Sequence, residues 1–175
     1  MHFLSKMVAV ACVLSLGANT SRAAQTIVAL GASNTEGYGV GKNESFPAQL
    51  EALLKQKGYD VRVINAGISG DTTSGMLGRL ATAVPDGTKL VILQPGGNDA
   101  FNGISPEQRE ANIQQISKRL EARGAKTLRL DQIASWQDFP KDFFQDDGIH
   151  LTPRGYARIA EKLMPAVIAA LGPRD

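Results

Sequence analysis

Thr26-Ile27-Val28-Ala29-Leu30 runs directly into Gly31-Ala32-Ser33-Asn34-Thr35-Glu36-Gly37. An almost unbroken apolar, β-branched run is the mark of a strand covered on both faces, as strands of parallel sheets are. The glycine-bounded polar stretch that follows reads as the turn leaving that strand. The same pattern recurs twice. Val61-Arg62-Val63-Ile64 precedes Asn65-Ala66-Gly67-Ile68-Ser69-Gly70-Asp71, and Leu90-Val91-Ile92-Leu93 precedes Gln94-Pro95-Gly96-Gly97-Asn98-Asp99. Thr127-Leu128-Arg129-Leu130 reads as a fourth strand.

Helical patterns fill the intervals. Ser45-Phe46-Pro47 starts a helix that runs to about Lys57 and stops at Gly58. A second spans about Thr73 to Ala83. The third begins at Ser105-Pro106-Glu107-Gln108, a capping serine with glutamine in the capping-box position, and continues to about Arg123 before Gly124. The last runs from Pro153 to about Leu171, with Ile159, Leu163, Val167 and Leu171 on one stripe. Strands alternating with helices predict an α/β fold: a three-layer α/β/α sandwich around a flavodoxin-like parallel sheet of four to five strands. The stretch Asp131 to Ile149 shows no regular pattern and contains Trp136, Phe139, Phe143 and Phe144. Two readings fit these aromatics equally well, lining a pocket or covering the sheet edge.

Residues 1–23 read as a secretory signal peptide: Lys6, an apolar run from Met7 to Leu16, and small residues in Ser21-Arg22-Ala23. Cleavage after Ala23 leaves a single domain, 24–175, exported to the periplasm or secreted. The apolar run is short for a membrane span, so stable membrane insertion is not expected. Loss of Lys6 and Arg22 brings 19 basic residues down to parity with the 17 acidic ones. A balanced charge gives no footprint for a nucleic-acid partner. The single cysteine, Cys12, falls in the leader, so the mature domain holds by its core alone. His2 falls there too, leaving His150 as the one imidazole.

In parallel α/β sheets ligands bind at the carboxyl ends of the strands, where the three glycine-bearing loops lie. Ser33 supplies a hydroxyl nucleophile, and His150 a base for its proton. An acid three or four residues before His150, Asp147 or Asp146, would hold the imidazole in the useful tautomer. Spacing alone does not choose between the two. The backbone N–H groups of Ser33 and Gly70 and the side-chain amide of Asn98 are available as oxyanion donors. An imidazole base predicts a rate that falls on the acid side of neutrality, where the base is protonated.

These blocks, in this order, resemble the SGNH hydrolase superfamily of GDSL-type esterases and lipases, in particular its small periplasmic thioesterase, lysophospholipase and arylesterase branch. Gly31-Ala32-Ser33 stands at the family's Gly-Asp-Ser, Ser69-Gly70-Asp71-Thr72 at its glycine block, Gly96-Gly97-Asn98-Asp99 at its asparagine block, and Asp147-Gly148-Ile149-His150 at its terminal block. The resemblance implies a triad of Ser33, Asp147 and His150, oxyanion donors on Ser33, Gly70 and Asn98, and no metal or cofactor. It selects Asp147 over Asp146. The expected substrate is a small acyl ester or thioester. A carbohydrate O-acetylesterase and a non-catalytic envelope-binding module on the same fold are the alternatives. Ala32 departs from the family's aspartate, and the approach to His150 is shorter than usual, so the nucleophile loop is expected to be held differently and the sheet to be reduced or the pocket more open. The phosphate-loop pattern fails, because it requires glycine where Glu36 stands and serine or threonine at Asn43.

Overall fold

The protein is described by a computed structural model covering residues 23–136 and 139–173. All but the last residue of the predicted leader therefore lies outside the described residues. Four strands form one parallel sheet in the order β2-β1-β3-β4: β1 (Gln25–Gly31), β2 (Val61–Gly67), β3 (Leu90–Gln94) and β4 (Lys126–Arg129). In register, Gly31 meets Gly67 on one side and Gln94 on the other. The loops that leave β1, β2 and β3 consequently emerge side by side.

Alternation along the strands builds the three layers. Ile27, Ala29, Leu90 and Ile92 face a core packed by Phe46, Leu50 and Leu54 of α2 (Phe46–Gln56) and by Tyr156, Ile159 and Leu163 of α8 (Pro153–Leu171). Val28, Leu30, Val91 and Leu93 face the opposite side. They meet Met76 of α3 (Thr73–Gly78), Leu80 of α4 (Leu80–Ala83), and Ile113, Ile116 and Leu120 of α6 (Pro106–Glu121). Each fully buried Leu or Ile on these stripes is worth roughly 1.5–3 kcal/mol over leaving it in water. The predicted α/β sandwich is the observed one, at the lower end of the expected strand count: no fifth strand joins the sheet among the described residues.

The structure corrects three local readings. The helix read from Thr73 to Ala83 is broken at Arg79, where φ is −96° and ψ 7°. Gly75 and Gly78 weaken this segment as a helix, and the Arg79 guanidinium is drawn inward. Its Nε donates to Asp71 Oδ2 at 2.7 Å, and its Nη2 donates to Gly31 O at 3.1 Å and Ala66 O at 2.9 Å, clamping the ends of β1 and β2. The fourth strand starts and ends one residue early, because Leu130 opens the short helix α7 (Leu130–Ile133) and is itself buried. The capping box at Ser105 is half made. Ser105 accepts the Gln108 N–H, but the Gln108 side chain donates to Asn112 instead of reaching back.

Between α7 and His150 the chain includes a 3-10 turn, Lys141–Phe143, and an isolated antiparallel bridge from Phe144 to Leu151. Phe139 belongs to the core on the α2 and α8 side, and Trp136, Phe143 and Phe144 pack against it. Both readings hold in part: the aromatics close the core, and Phe139 and Phe143 also line a surface cavity beside Arg154 and Lys162. No helix among the described residues is long and apolar enough to cross a membrane.

The clamp at Arg79 carries a stability prediction. Side chains of Arg79 and Asp71 are largely buried, so removing one leaves the other charge without its partner. Arg79→Met is expected to cost about 2–4 kcal/mol, read as a lower denaturant midpoint at unchanged slope. The double variant Arg79→Met, Asp71→Asn is expected to recover part of that loss, since no charge then stays buried alone.

Candidate active site

Ser33 is the first residue of α1 (Ser33–Glu36), a single helical turn entered directly from β1. Thr35 and Glu36 donate their backbone N–H groups to Ala32 O, and Gly37 and Tyr38 donate to Ser33 O. As the first helical residue, Ser33 has an N–H without an intrahelical acceptor. The turn sits tightly on the end of β2, for a Cβ at Gly67 would lie 2.1 Å from the Glu36 nitrogen. Backbone cannot yield there, so glycine is required.

The loop is held by a residue the sequence did not single out. Gln94, buried at the end of β3, accepts the Ala32 N–H at 3.1 Å and the Thr35 hydroxyl at 3.0 Å through one carboxamide oxygen. Ala32 itself is buried in the apolar core on the α3 and α6 side. The nucleophile loop is thus fixed from the neighbouring strand, with an apolar side chain at position 32. A polar residue closing an otherwise apolar strand was the only signal for Gln94.

His150 reaches Ser33 from the far end of the chain. Its Nε2 is 2.9 Å from Ser33 Oγ, and its Nδ1 is 2.6 Å from Asp147 Oδ2. The other oxygen of Asp147 accepts the N–H groups of Ile149 and His150, both at 2.9 Å. Asp147, not Asp146, therefore faces the imidazole. Its bond to the His150 ring, helped by the two backbone N–H groups, holds its carboxyl at a pKa of about 2.

Several tethers lock the His150 turn to the Ser33 loop. Gln145 donates its backbone N–H to His150 O and its side-chain amide to Tyr38 O and Leu151 O, at 2.7–2.8 Å. A Cβ at Gly39 would lie 2.2 Å from the Gln145 side-chain oxygen, and φ there is +77°, so glycine makes room for this amide. Asn34 donates to Ile149 O at 3.3 Å and accepts the Tyr156 hydroxyl at 3.1 Å. Burial pushes the Tyr156 hydroxyl up to about 12, so it stays a donor. The Tyr38 and His150 rings lie 4.4 Å apart between centroids.

The remaining expected donors lie in the β2 and β3 loops. Gly70 sits at φ +80° in a turn closed by Asp71 N–H to Ile68 O, and its own N–H meets no acceptor among the described residues. Ser69 hydrogen-bonds Glu36 through both its N–H and its hydroxyl, tying this loop to α1. Asn98 opens α5 (Asn98–Phe101) and donates from Nδ2 to Asp71 O at 2.8 Å, which fixes the amide and leaves its second N–H over. Beneath it, buried Asp99 accepts the N–H and hydroxyl of Thr73, whose oxygen accepts from Asn112 at 3.0 Å. That network sets α5 against α3 and α6, and the sequence showed only a turn there.

A family model described as GDSL-like lipase/acylhydrolase matches residues 29–141. The chain belongs to that family. The GDSL-like assignment agrees with the resemblance carried by the four sequence blocks. Esterase TesA of Pseudomonas aeruginosa is 39% identical over 109 residues, which are 62% of this chain and 54% of that protein. The thioesterase 1/protease 1/lysophospholipase L1 of Escherichia coli K12 is 35% identical over 109 residues, 62% of this chain and 51% of that protein. This GDSL-like chain thus spans about half the length of the curated relatives it matches. A crystal structure of TesA superposes with a TM-score of 0.72 at 27% identity, covering 83% of this chain and 99% of that one.

Proposed function

We propose that this protein is a serine hydrolase that cleaves carboxylic esters or thioesters through an acyl-enzyme. The observation that carries the reading is the continuous line from Asp147 through both nitrogens of His150 to Ser33 Oγ. Esterase and thioesterase names among its relatives support the same substrate class. In the first step Ser33 Oγ attacks the carbonyl carbon while its proton passes to His150 Nε2, and Asp147 stabilises the imidazolium. The tetrahedral oxyanion is received by the N–H groups of Ser33 and Gly70 and the free Asn98 amide hydrogen. Collapse expels the leaving oxygen or sulfur, which takes the proton from Nε2. Water then attacks the acyl-Ser33 ester with His150 again as base, releasing the acid and restoring Ser33.

Treatment of the full chain with a fluorophosphonate probe tests this directly. Labelling of wild type and none of Ser33→Ala is expected, since only an activated hydroxyl reacts. An unlabelled wild type would favour a non-catalytic module on the same fold. Asn98→Ala is expected to lower kcat by about 10²–10³ with little change in KM, because the donor acts on charge that develops in the transition state. A change in KM alone would assign Asn98 to ground-state binding. The proposal includes export: residues 1–23 act as a cleaved signal peptide, and the working domain is 24–175.

A further inference from the structure

As the tetrahedral intermediate collapses, His150 Nε2 must lie within hydrogen-bonding reach of the departing atom. The nearest part of the leaving group therefore lies against whatever flanks the imidazole. Tyr38 does so, its ring tilted by 35° against the imidazole, and Ile149 immediately precedes His150 in the chain. Both are far more exposed than such residues usually are, Tyr38 at 51% and Ile149 at 62%.

The other large hydrophobic side chains exposed among the described residues are Ile68 at 51% and Phe101 at 87%. Ile68 lies in the β2 loop that carries Gly70, and Phe101 is the last residue of α5, the turn that Asn98 opens. All four lie within five residues in sequence of a candidate site residue: Tyr38 of Ser33, Ile68 of Gly70, Phe101 of Asn98 and Ile149 of His150. Tyr38 and Ile149 form the pair on the imidazole side. Their backbones are pinned by polar tethers, Tyr38 O by Gln145 and Ile149 O by Asn34. They are held in place while their side chains stay exposed. The charge beside them is negative, since Asp146 and Asp147 are both exposed.

We infer that Tyr38 and Ile149 form the leaving-group subsite, fitting uncharged apolar alcohols and aromatic ones best, while Asp146 and Asp147 disfavour anionic leaving groups. This rests on the serine hydrolase reading above. Acetate esters separate the two, because every acetate forms the same acetyl-Ser33 and only acylation senses the alcohol.

The full chain is assayed on methyl acetate, benzyl acetate and 4-carboxybenzyl acetate. Tyr38→Ser and Ile149→Ser are each expected to lower kcat/KM for benzyl acetate about tenfold relative to methyl acetate, with the deacylation rate unchanged. Asp146→Asn is expected to raise the rate on the carboxylated ester about twofold relative to benzyl acetate. Equal losses on methyl and benzyl esters, or slowed deacylation in both serine variants, would overturn the subsite and leave the pair as supports for the imidazole. Ile149→Ser carries the test if loss of the Tyr38 ring disables His150. Hydrolysis of methyl acetate retained by Ser33→Ala would instead overturn the underlying reading, a result distinct from failure of the subsite.

Discussion

Ser33→Ala and His150→Ala are each expected to lower kcat on short-chain p-nitrophenyl esters by about 10⁴–10⁶-fold, with the double variant no worse than either alone. Equality follows from the geometry. With Oγ and Nε2 2.9 Å apart, the hydroxyl and its base act as one unit, so losing either removes the same step. Removing the Ser33 side chain leaves the fold in place, because α1 is closed by the backbone carbonyls of Ala32 and Ser33 and by Gln94, none of which needs the hydroxyl. Residual turnover comes from the oxyanion donors acting on water. Release of p-nitrophenolate is the measurement, and undiminished activity in either variant would remove that residue from the mechanism.

Asp147→Asn is expected to lower kcat by about 10³–10⁴-fold, while Asp146→Asn stays within about twofold on uncharged esters. Asparagine keeps one oxygen for the N–H groups of Ile149 and His150, so the turn survives. It presents an amide to Nδ1, which favours the wrong tautomer and withdraws the negative charge that stabilises the imidazolium. The sign of the pH effect on stability follows from the same contacts. Asp147 titrates near 2 in the folded protein against 3.8 for an ordinary aspartate. Its contribution is therefore complete above about pH 4 and is lost as pH falls through about 2. The melting temperatures of wild type and Asp147→Asn should converge as pH is lowered from 5 to 2. A gap that stays constant over that range would mean the low value does not describe this carboxylate.

Three residues that remained hidden in the chain share one physical character. Gln94, Asn34 and Gln145 hold the site through side-chain amides to backbone groups 62, 115 and 107 residues away in sequence. An amide that bonds at such separation leaves no periodicity, no fixed spacing and no glycine mark. Arg79 was hidden for the opposite reason: it lies within a segment that reads as helix, and only its three acceptors, on Asp71, Gly31 and Ala66, show why the helix breaks. The aromatics between Asp131 and Ile149 were ambiguous because burial against α8 and exposure in a pocket require the same residue types.

By itself the sequence determined the layered parallel sheet, since strands covered on both faces need near-continuous apolar runs, and helices between them need stripes at a period of 3.6. It also brought the three glycine-bearing loops to one sheet end, because parallel strands all finish there. Tertiary structure alone decided that Gln94 holds the loop around Ala32 and that Asn34 and Gln145 tie the Ser33 loop to the His150 turn. Those depend on contacts between residues 62 to 115 positions apart, fixed by packing of the whole domain.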